Sequence, residues 1–466
     1  MTTTTGISSR ELAASIVLRL QQAGFSAFWV GGCVRDFLLG REPQDYDIAT
    51  DARPEQIEKL FRRTLAIGRK FGVMIVVEGK QQFQVATFRA EADYQDGRRP
   101  EQIVFSNAEA DAQRRDFTVN GLFYDPIAEQ LHDWARGEKD LRAKIIRTIG
   151  VPEERFTEDH LRLLRAIRFA AQLGFEIEPQ TFAAVKKLAP KIELISAERV
   201  RDELIKLFAP PPGAPASPNA GETPALPGAA RGLVLLRDSR LLPGVLPELI
   251  ATLLCQQSPD YHPEGTVFEH IRLMLEKMPP GASPSLPWAV ILHDIAKPAT
   301  AERDPATGAI HFYGHEKVGA AMAERILTRL RFPKKQIEEI VACVLNHMQF
   351  KDVKQMRKAT LRRLLLRDTF PLELELHRLD CLGSHGDLEH YEFLLAQAEE
   401  LKQQPAIRPP LLTGKDLIKL GLEPGPALGA LLHEIREKQL GDELKTPREA
   451  RAWVKKRLPT NARRTG

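Results

Sequence analysis

Residues 31–50 read GGCVRDFLLGREPQDYDIAT, and this stretch limits the possible folds more than any other in the chain. A glycine pair, Gly31 and Gly32, opens a short helix with Arg35 and Asp36 in its first turn, and Gly40 ends it. The run that follows is extended and holds Asp45 and Asp47. Side chains alternate along a strand, so Asp-x-Asp sets both carboxylates on one side. Oxygen ligands at that spacing suit Mg²⁺, which binds one or two carboxylates together with substrate phosphates. Glycine lets backbone N–H groups approach a triphosphate closely, and a helix N-terminus favours an anion. Taken alone, Asp-x-Asp also fits two solvated aspartates on an ordinary β-turn-α segment, because short motifs match often by accident. With GG-x-VRD upstream at this spacing, the parts describe a nucleotidyl-transfer site.

The patterning around this segment divides the chain. Residues 10–23 have helical periodicity, and Gly24 stands where a C-terminal stop belongs. Strand-like runs follow at Ala27–Val30, Asp45–Ala49, Val73–Glu78, Phe83–Arg89, Leu122–Tyr124, Gln130–Asp133 and Ile145–Ile149. Near Phe156 the character changes, and almost everything afterwards reads as helix. Residues 210–230 are rich in Pro, Ala and Gly and nearly without large apolar side chains, the composition of a flexible linker or surface insertion. A second helical block runs from about 231 to 403, and nine of the twelve histidines fall between His262 and His390. The tail, 404–466, reads as a small helical module after a Pro-Gly-Pro turn.

At 466 residues the chain is long enough for about three domains. Its formal charge of +4 permits a nucleic-acid partner without arguing for one. The arginines cluster, however, at Arg162, Arg165, Arg168 and at Arg199, Arg201, which suggests a phosphate-binding surface. Cys33, Cys255, Cys343 and Cys381 are too far apart for a zinc knuckle or a disulfide scaffold, so a reducing cytoplasm is the expected location. The N-terminus lacks the pattern of a signal peptide, and no apolar run reaches the ~20 residues that span a bilayer, so no membrane is expected as a partner.

Two further clusters bear on a transferase. Arg114-Arg115-Asp116-Phe117-Thr118-Val119-Asn120 suits bidentate arginine–phosphate pairing, although a surface salt bridge has the same composition. In Glu158-Asp159-His160-Leu161-Arg162, continuing through Arg165 and Arg168, the spacing predicts Asp159, Arg162 and Arg165 on one helical face. Carboxylate acceptors and guanidinium donors so placed can meet the edge of a base, and a solvated charged stripe fits the same pattern.

Here the sequence resembles the class II tRNA nucleotidyltransferase and poly(A) polymerase family, which includes bacterial CCA-adding enzymes. GGCVRDFLLG with DYD resembles its metal-binding motif, RRDFTVNGL its ribose and phosphate motif, and EDHLRLLRAIRF its base-templating motif. AERVRDELIKLF, with Glu198, Arg199 and Glu203, resembles the helical neck motif, and the GRRP segment near Arg98 completes five ordered matches. The resemblance implies an α/β head, a nucleotidyltransferase-type mixed sheet with helices, followed by a mostly α-helical neck, body and HD-type domain. The boundaries it suggests are head 1–150, neck 151–209, linker 210–230, HD-type domain 231–403 and tail 404–466.

It further implies that Asp45 and Asp47 hold Mg²⁺ in a two-metal mechanism, with ATP and CTP as donors and the 3′ end and acceptor arm of tRNA as acceptor. Gly31, Gly32, Arg35 and Asp36 would form the triphosphate turn. Arg115, Asp116, Asn120, Arg165 and Arg168 would contact phosphate or ribose, and Asp159 with Arg162 would select the base. Family members often carry a third acidic residue before the TFR-type segment; here that position is Gln84, which leaves two carboxylates for the metal.

The second block has its own chemistry. His293-Asp294 follows an apolar helical run, with His270, His315, His347 and Asp380 on other segments. A lone helical histidine is usually a core or surface residue, but mixed imidazole and carboxylate donors suit Mn²⁺, Ni²⁺ or similar ions. The block resembles an HD-type metal-dependent phosphohydrolase, with His270, His293, Asp294 and Asp380 at its core ligand positions. His315 and His347 match positions that hold a second metal in some members, and Lys297 is placed to hold a phosphate. The resemblance implies hydrolysis of 2′,3′-cyclic phosphates, and an HD fold kept for packing or RNA binding is the other reading.

Three rivals use the same residues. A poly(A) polymerase adds only A, partial tRNA enzymes add only CC or only A, and a decayed transferase acts as an RNA-binding protein through its HD block alone. Residues 93–104 resemble the flexible loop that CC-adding enzymes tend to lack, which favours CCA or A addition. Oligomeric state is not legible in the sequence.

Overall fold

The computed structural model describes residues 7–66, 68–69, 72–90, 104–210, 228–259, 262–403 and 409–457. Most of the 93–104 loop, with GRRP, and most of the 210–230 linker lie outside the described residues. The chain forms two compact units, Met1–Ile250 and Ala251–Gly466.

In the first unit, helix α1 (Ser9–Gln22) begins with a capping box, in which Ser8 Oγ accepts from Glu11 N and Glu11 Oε2 accepts from Ser8 N. Its buried residues Ala13, Ile16, Val17 and Leu20 follow the 3.6-residue period and face strand β1 (Ala27–Val30). The seven-stranded sheet runs, edge to edge, Thr64–Leu65, Val73–Glu78, Gln81–Thr87, β2 (Asp47–Thr50), β1, Phe123–Asp125, Gln130–His132. It is mixed: β2 lies parallel to Gln81–Thr87 and antiparallel to β1. Trp29 and Ile48 share one buried face, while Val30, Ala49, Phe88 and Phe123 form a core cluster on the other. Asp47 shares the Ala49 face by the period-two rule and ends that face in solvent.

Several elements are shorter than the sequence suggests. The strand expected over Asp45–Ala49 starts at Asp47, and Asp45 sits in a bend before it. The run expected over Ile145–Ile149 forms a strand only at Ile145–Ile146, and beyond it Thr148 makes an isolated antiparallel bridge to Phe117. The helix expected to carry Asp159 breaks there: one helix is Pro152–Glu158 and the next Leu161–Leu173. Asp159 is extended at φ −149°, and its Oδ1 accepts from Leu161 N, so it serves the first turn as aspartate does at a helix start. Residues 197–207 and 228–238 form helices that pack on Leu161–Leu173. A Cβ on Gly232 would stand 2.6 Å from Leu207 Cδ1, so this glycine permits the close approach of the last helix. Gly228–Asp238 therefore lies within the first unit.

The second unit is helical. In Leu286–Leu292 every residue is buried, the mark of a helix at the centre of a core rather than at its edge. Helices Val267–Glu276, Lys334–Asn346 and Phe370–Gly383 pack around it. Gly383 has no room for a Cβ, which would meet Met274 Cγ at 2.8 Å, and this close contact brings Asp380 up to His270. A separate cluster of Leu412, Leu417, Ile435, Leu444, Ala450 and Val454 forms the core of the C-terminal module. Among the described residues, no helix is long and apolar enough to cross a membrane.

Candidate functional site

Asp45 and Asp47 are exposed on either side of Tyr46, which is buried against Trp29 at a ring distance of 4.8 Å. That anchor fixes the two carboxylates on one side. The protein mass around Asp47 desolvates it and raises its pKa although the side chain reaches solvent, Arg115 opposes the rise, and Asp45 adds to it. A close carboxylate pair in this state calls for a cation, and the oxygen-only donor set fits Mg²⁺. Gln84 stands level with Asp47 across the parallel ladder and is exposed on the same face, so an amide occupies the third position.

Gly31 links this pair to the arginines. Its φ is +75°, and a Cβ would meet Arg115 Nη1 at 2.9 Å. Its N–H donates to Leu122 O at 3.1 Å and is therefore spent inside the fold, which leaves Gly32 and the next residues of helix α2 (Gly32–Leu38) to face a phosphate. Gly31→Ala is expected to destabilise the protein by ~1–3 kcal/mol through backbone strain, and to lower transferase activity as Arg115 is displaced. Thermal melting and incorporation assays on the same preparation check both effects.

From the turn a hydrogen-bonded chain runs to the neck. Arg35 is buried, pairs with Asp36 at 2.8 Å and donates to Asn120 Oδ1 at 2.7 Å. Asn120 Nδ2 donates to Asp116 Oδ1 at 3.1 Å, and Asp116 Oδ2 accepts from Arg165 Nε at 2.8 Å. Burial opposes ionisation of Asp116, but Arg165 outweighs it and lowers the carboxyl to about 2. Arg165 also reaches Glu203 at 3.6 Å on the 197–207 helix.

Two of the expected arginines are held by neighbouring carboxylates. Arg168, expected on phosphate or ribose, is buried, with Nε donating to Glu203 at 2.6 Å and Nη1 to Gln172 at 3.1 Å. It braces the neck. Arg162 and Asp159 do not pair with each other. Arg162 Nη1 donates to Glu158 and to Arg155 O, while Asp159 Oδ2 accepts from Arg199 at 2.7 Å. Arg115, which donates to Asp111 at 3.0 Å, and Arg165 are the more exposed of the expected phosphate contacts. Asp111 was missed by the sequence reading: it is buried, carries both Arg114 and Arg115, and lies at i−3 and i−4 from them, a spacing that was legible.

In the second unit the six expected ligands converge. His270, His293 and Asp380 form one group and Asp294, His315 and His347 another, with ligand atoms in each group within 4.8 Å of one another. His293, His315 and His347 aim Nδ1 at the carbonyl oxygens of Val290, Phe312 and Val344, at 2.8, 2.7 and 2.7 Å. Donation from Nδ1 leaves each Nε2 a bare acceptor pointing inward. His315 Nε2 and His347 Nε2 then face each other at 3.0 Å, and His293 Nε2 is buried 3.1 Å from Asp294 Oδ2. Acceptors so opposed fit a cation between them. Burial also lowers the His347 pKa, favouring the neutral form that a metal requires. Burial opposes ionisation of Asp294, yet His293 and Lys297 outweigh it and hold its carboxyl well below the usual range. Lys297 Nζ lies 2.7 Å from Asp294 and donates to Gln257 at 2.6 Å, so it is engaged at the site rather than free for a phosphate. His262 and Glu264, which the sequence reading passed over, form a third group with His270.

Residues 27–147 match the poly A polymerase head domain, 174–216 the probable RNA- and SrmB-binding site of polymerase A, and 262–381 the HD domain. The A-adding tRNA nucleotidyltransferase of Deinococcus radiodurans is 34% identical over 443 residues, which cover 92% of this chain and 94% of that protein. The chain belongs to the tRNA nucleotidyltransferase family. The CCA-adding enzyme of Streptococcus suis is 46% identical over 197 residues, 42% of this chain and 49% of that protein, so the match spans about half of that relative's length. Bacillus stearothermophilus CCA-adding enzyme, solved in complex with CTP, superposes with a TM-score of 0.71 at 26% identity over 96% of each chain. A Thermotoga maritima CCA-adding enzyme solved with tRNA shares the fold at a TM-score of 0.52 and 19% identity. As a member of this nucleotidyltransferase family the protein is an enzyme, and its fold is a mixed-sheet head with helices, a mostly helical remainder and an HD domain.

Proposed function

We propose that this tRNA nucleotidyltransferase completes tRNA 3′ ends with C, C and A, using CTP and ATP and releasing pyrophosphate. The observation that carries the reading is the exposed Asp45/Asp47 pair beside Arg115, with the hydrogen-bonded run Arg35–Asn120–Asp116–Arg165 joining the neighbouring glycine turn to the neck. Mg²⁺ held by Asp45 and Asp47 would supply the charge stabilisation that in-line displacement at phosphorus needs. Arg115 and Arg165 retain unspent N–H donors for phosphate oxygens, since a guanidinium carries five. Asp159 and Arg162 select the base in this reading. Cytosine and adenine both present an amino donor where uracil presents a carbonyl, so a fixed carboxylate acceptor accepts the first two and rejects the third. Arg199 and Glu158 keep these two side chains in place between rounds.

A second reading, addition of the terminal A alone, is favoured by the full-length similarity to an A-adding enzyme. In the second unit we infer a divalent-metal phosphohydrolase acting on 2′,3′-cyclic phosphates, with the reducing cytoplasm as its setting. Incubation with tRNA lacking CCA, or ending in C or CC, and with each labelled triphosphate tests the transferase reading. Two C residues then one A on the shortest tRNA are expected. A single A on the CC-ended tRNA alone would favour A addition, a long A tail on generic RNA would favour a poly(A) polymerase, and no incorporation would overturn the proposal.

A further inference from the structure

Four histidines line the metal site of the second unit, and one is held differently from the rest. His293, His315 and His347 each direct Nδ1 to a main-chain carbonyl three residues earlier. His270 has instead the carboxylate of Glu264, whose Oε1 stands 2.6 Å from its Nδ1. On the far side of the ring, His270 Nε2 lies 3.0 Å from Asp380 Oδ1, so the imidazole is set between an inner and an outer carboxylate. Both His270 and Glu264 are buried, with side chains 0% and 6% exposed. The same Glu264 oxygen is 2.9 Å from His262 Nδ1, and the His262 ring meets His270 edge to face at 4.8 Å. Glu264 Oε2 is buried with no hydrogen-bond partner among the described residues.

The sequence sets this geometry locally. Thr266 caps the Val267–Glu276 helix by accepting from Glu269 N, which places Glu264 in the turn before the helix and His270 in its first turns, on the same side. A carboxylate behind a histidine fixes the tautomer and the ring plane, and makes the facing nitrogen a stronger donor than a neutral carbonyl does.

We propose that Glu264 is the positioning residue of this metal centre, orienting His270 and setting the affinity of the group it forms with His293 and Asp380. The inference rests on the reading that this unit binds a divalent ion. Asp294, His315 and His347 do not touch Glu264, so their group keeps its affinity when Glu264 is changed.

The test is titration of Mn²⁺ into the full-length, metal-stripped protein by calorimetry, with bound metal counted after dialysis. Wild type, Glu264→Gln and Glu264→Ala are compared. Glu264→Gln keeps the shape and a neutral acceptor but removes the charge, so it remains informative where Glu264→Ala unfolds. One binding step is expected to weaken about 10-fold to 100-fold in the variants while the other is unchanged, with the metal-free melting temperature of Glu264→Gln close to wild type. A merely structural role would shift the melting temperature and leave the affinities alone. Unchanged Mn²⁺ affinity in folded Glu264→Gln would overturn the inference by itself, as would equal weakening of both steps. Wild-type protein that binds no Mn²⁺ would overturn the underlying metal reading as well.

Discussion

Asp47→Ala is expected to abolish nucleotide incorporation while leaving the fold and RNA binding in place. The carboxylate stands beside Asp45 on the exposed side of β2, and Tyr46 between them fixes the pair to the core. A metal at such a pair supplies several kcal/mol of charge stabilisation. At ~1.4 kcal/mol per tenfold change in rate, the loss of about 4 kcal/mol lowers the rate about a thousandfold. The same geometry argues that alanine will not lower stability. Asp47 is exposed at the start of β2 and fills no core position, so alanine leaves the packing of the strand in place. Function therefore explains its presence, and stability does not. Incorporation of labelled nucleotide into tRNA, with thermal melting and a tRNA binding assay beside it, measures all three quantities. Near wild-type incorporation in Asp47→Ala would remove this pair from catalysis.

Short-range patterns in the sequence made the local structure around this candidate site legible. The glycine pair, the α2 helix and the strand that begins at Asp47 all depend on neighbours within a few residues. What the sequence did not reveal depends on long-range partners. Nothing near Gln84 says that its strand runs parallel to β2 and sets it level with Asp47. Likewise, Arg168 carries the same charge and spacing as Arg165, yet Glu203 draws its Nε into a buried pair at 2.6 Å while Arg165 turns to Asp116. Composition could not separate a bracing arginine from one left to meet a ligand. The break at Asp159 is a different kind of miss. Aspartate before an apolar-periodic run is a helix-start signal, and the i, i+3 spacing of the charges masked it. In the second unit the convergent histidines and aspartates were legible from residue types, while Glu264 beside His270 was not, since a His-Pro-Glu turn has many other uses.

The double change His293→Ala with Asp294→Ala is expected to eliminate hydrolysis of 2′,3′-cyclic AMP in the presence of Ni²⁺, Mn²⁺ or Mg²⁺, and to leave nucleotide addition intact. Asp294 belongs to one ligand group and His293 to the other, so the pair of changes strips both at once. Ligands drawn from separate segments bind one ion only together, so neither group keeps a complete set. A structural effect accompanies the chemical one. Lys297 Nζ is buried 2.7 Å from Asp294, and removal of that carboxylate leaves it with Gln257 and the ring of Phe312. Breaking a buried pair from one side costs about 3–5 kcal/mol, so the melting transition of the second unit should fall. The candidate transferase residues Asp45, Asp47, Arg115, Asp116 and Arg165 all lie in Met1–Ile250, which has its own core, and incorporation should persist at temperatures where the second unit remains folded. Both activities are read on the same preparations, with circular dichroism to establish the folded fraction. A wild-type protein without hydrolysis in any of the three ions would leave the block as a structural or RNA-binding element. Equal loss of both activities in a folded double variant would show that the two sites are coupled.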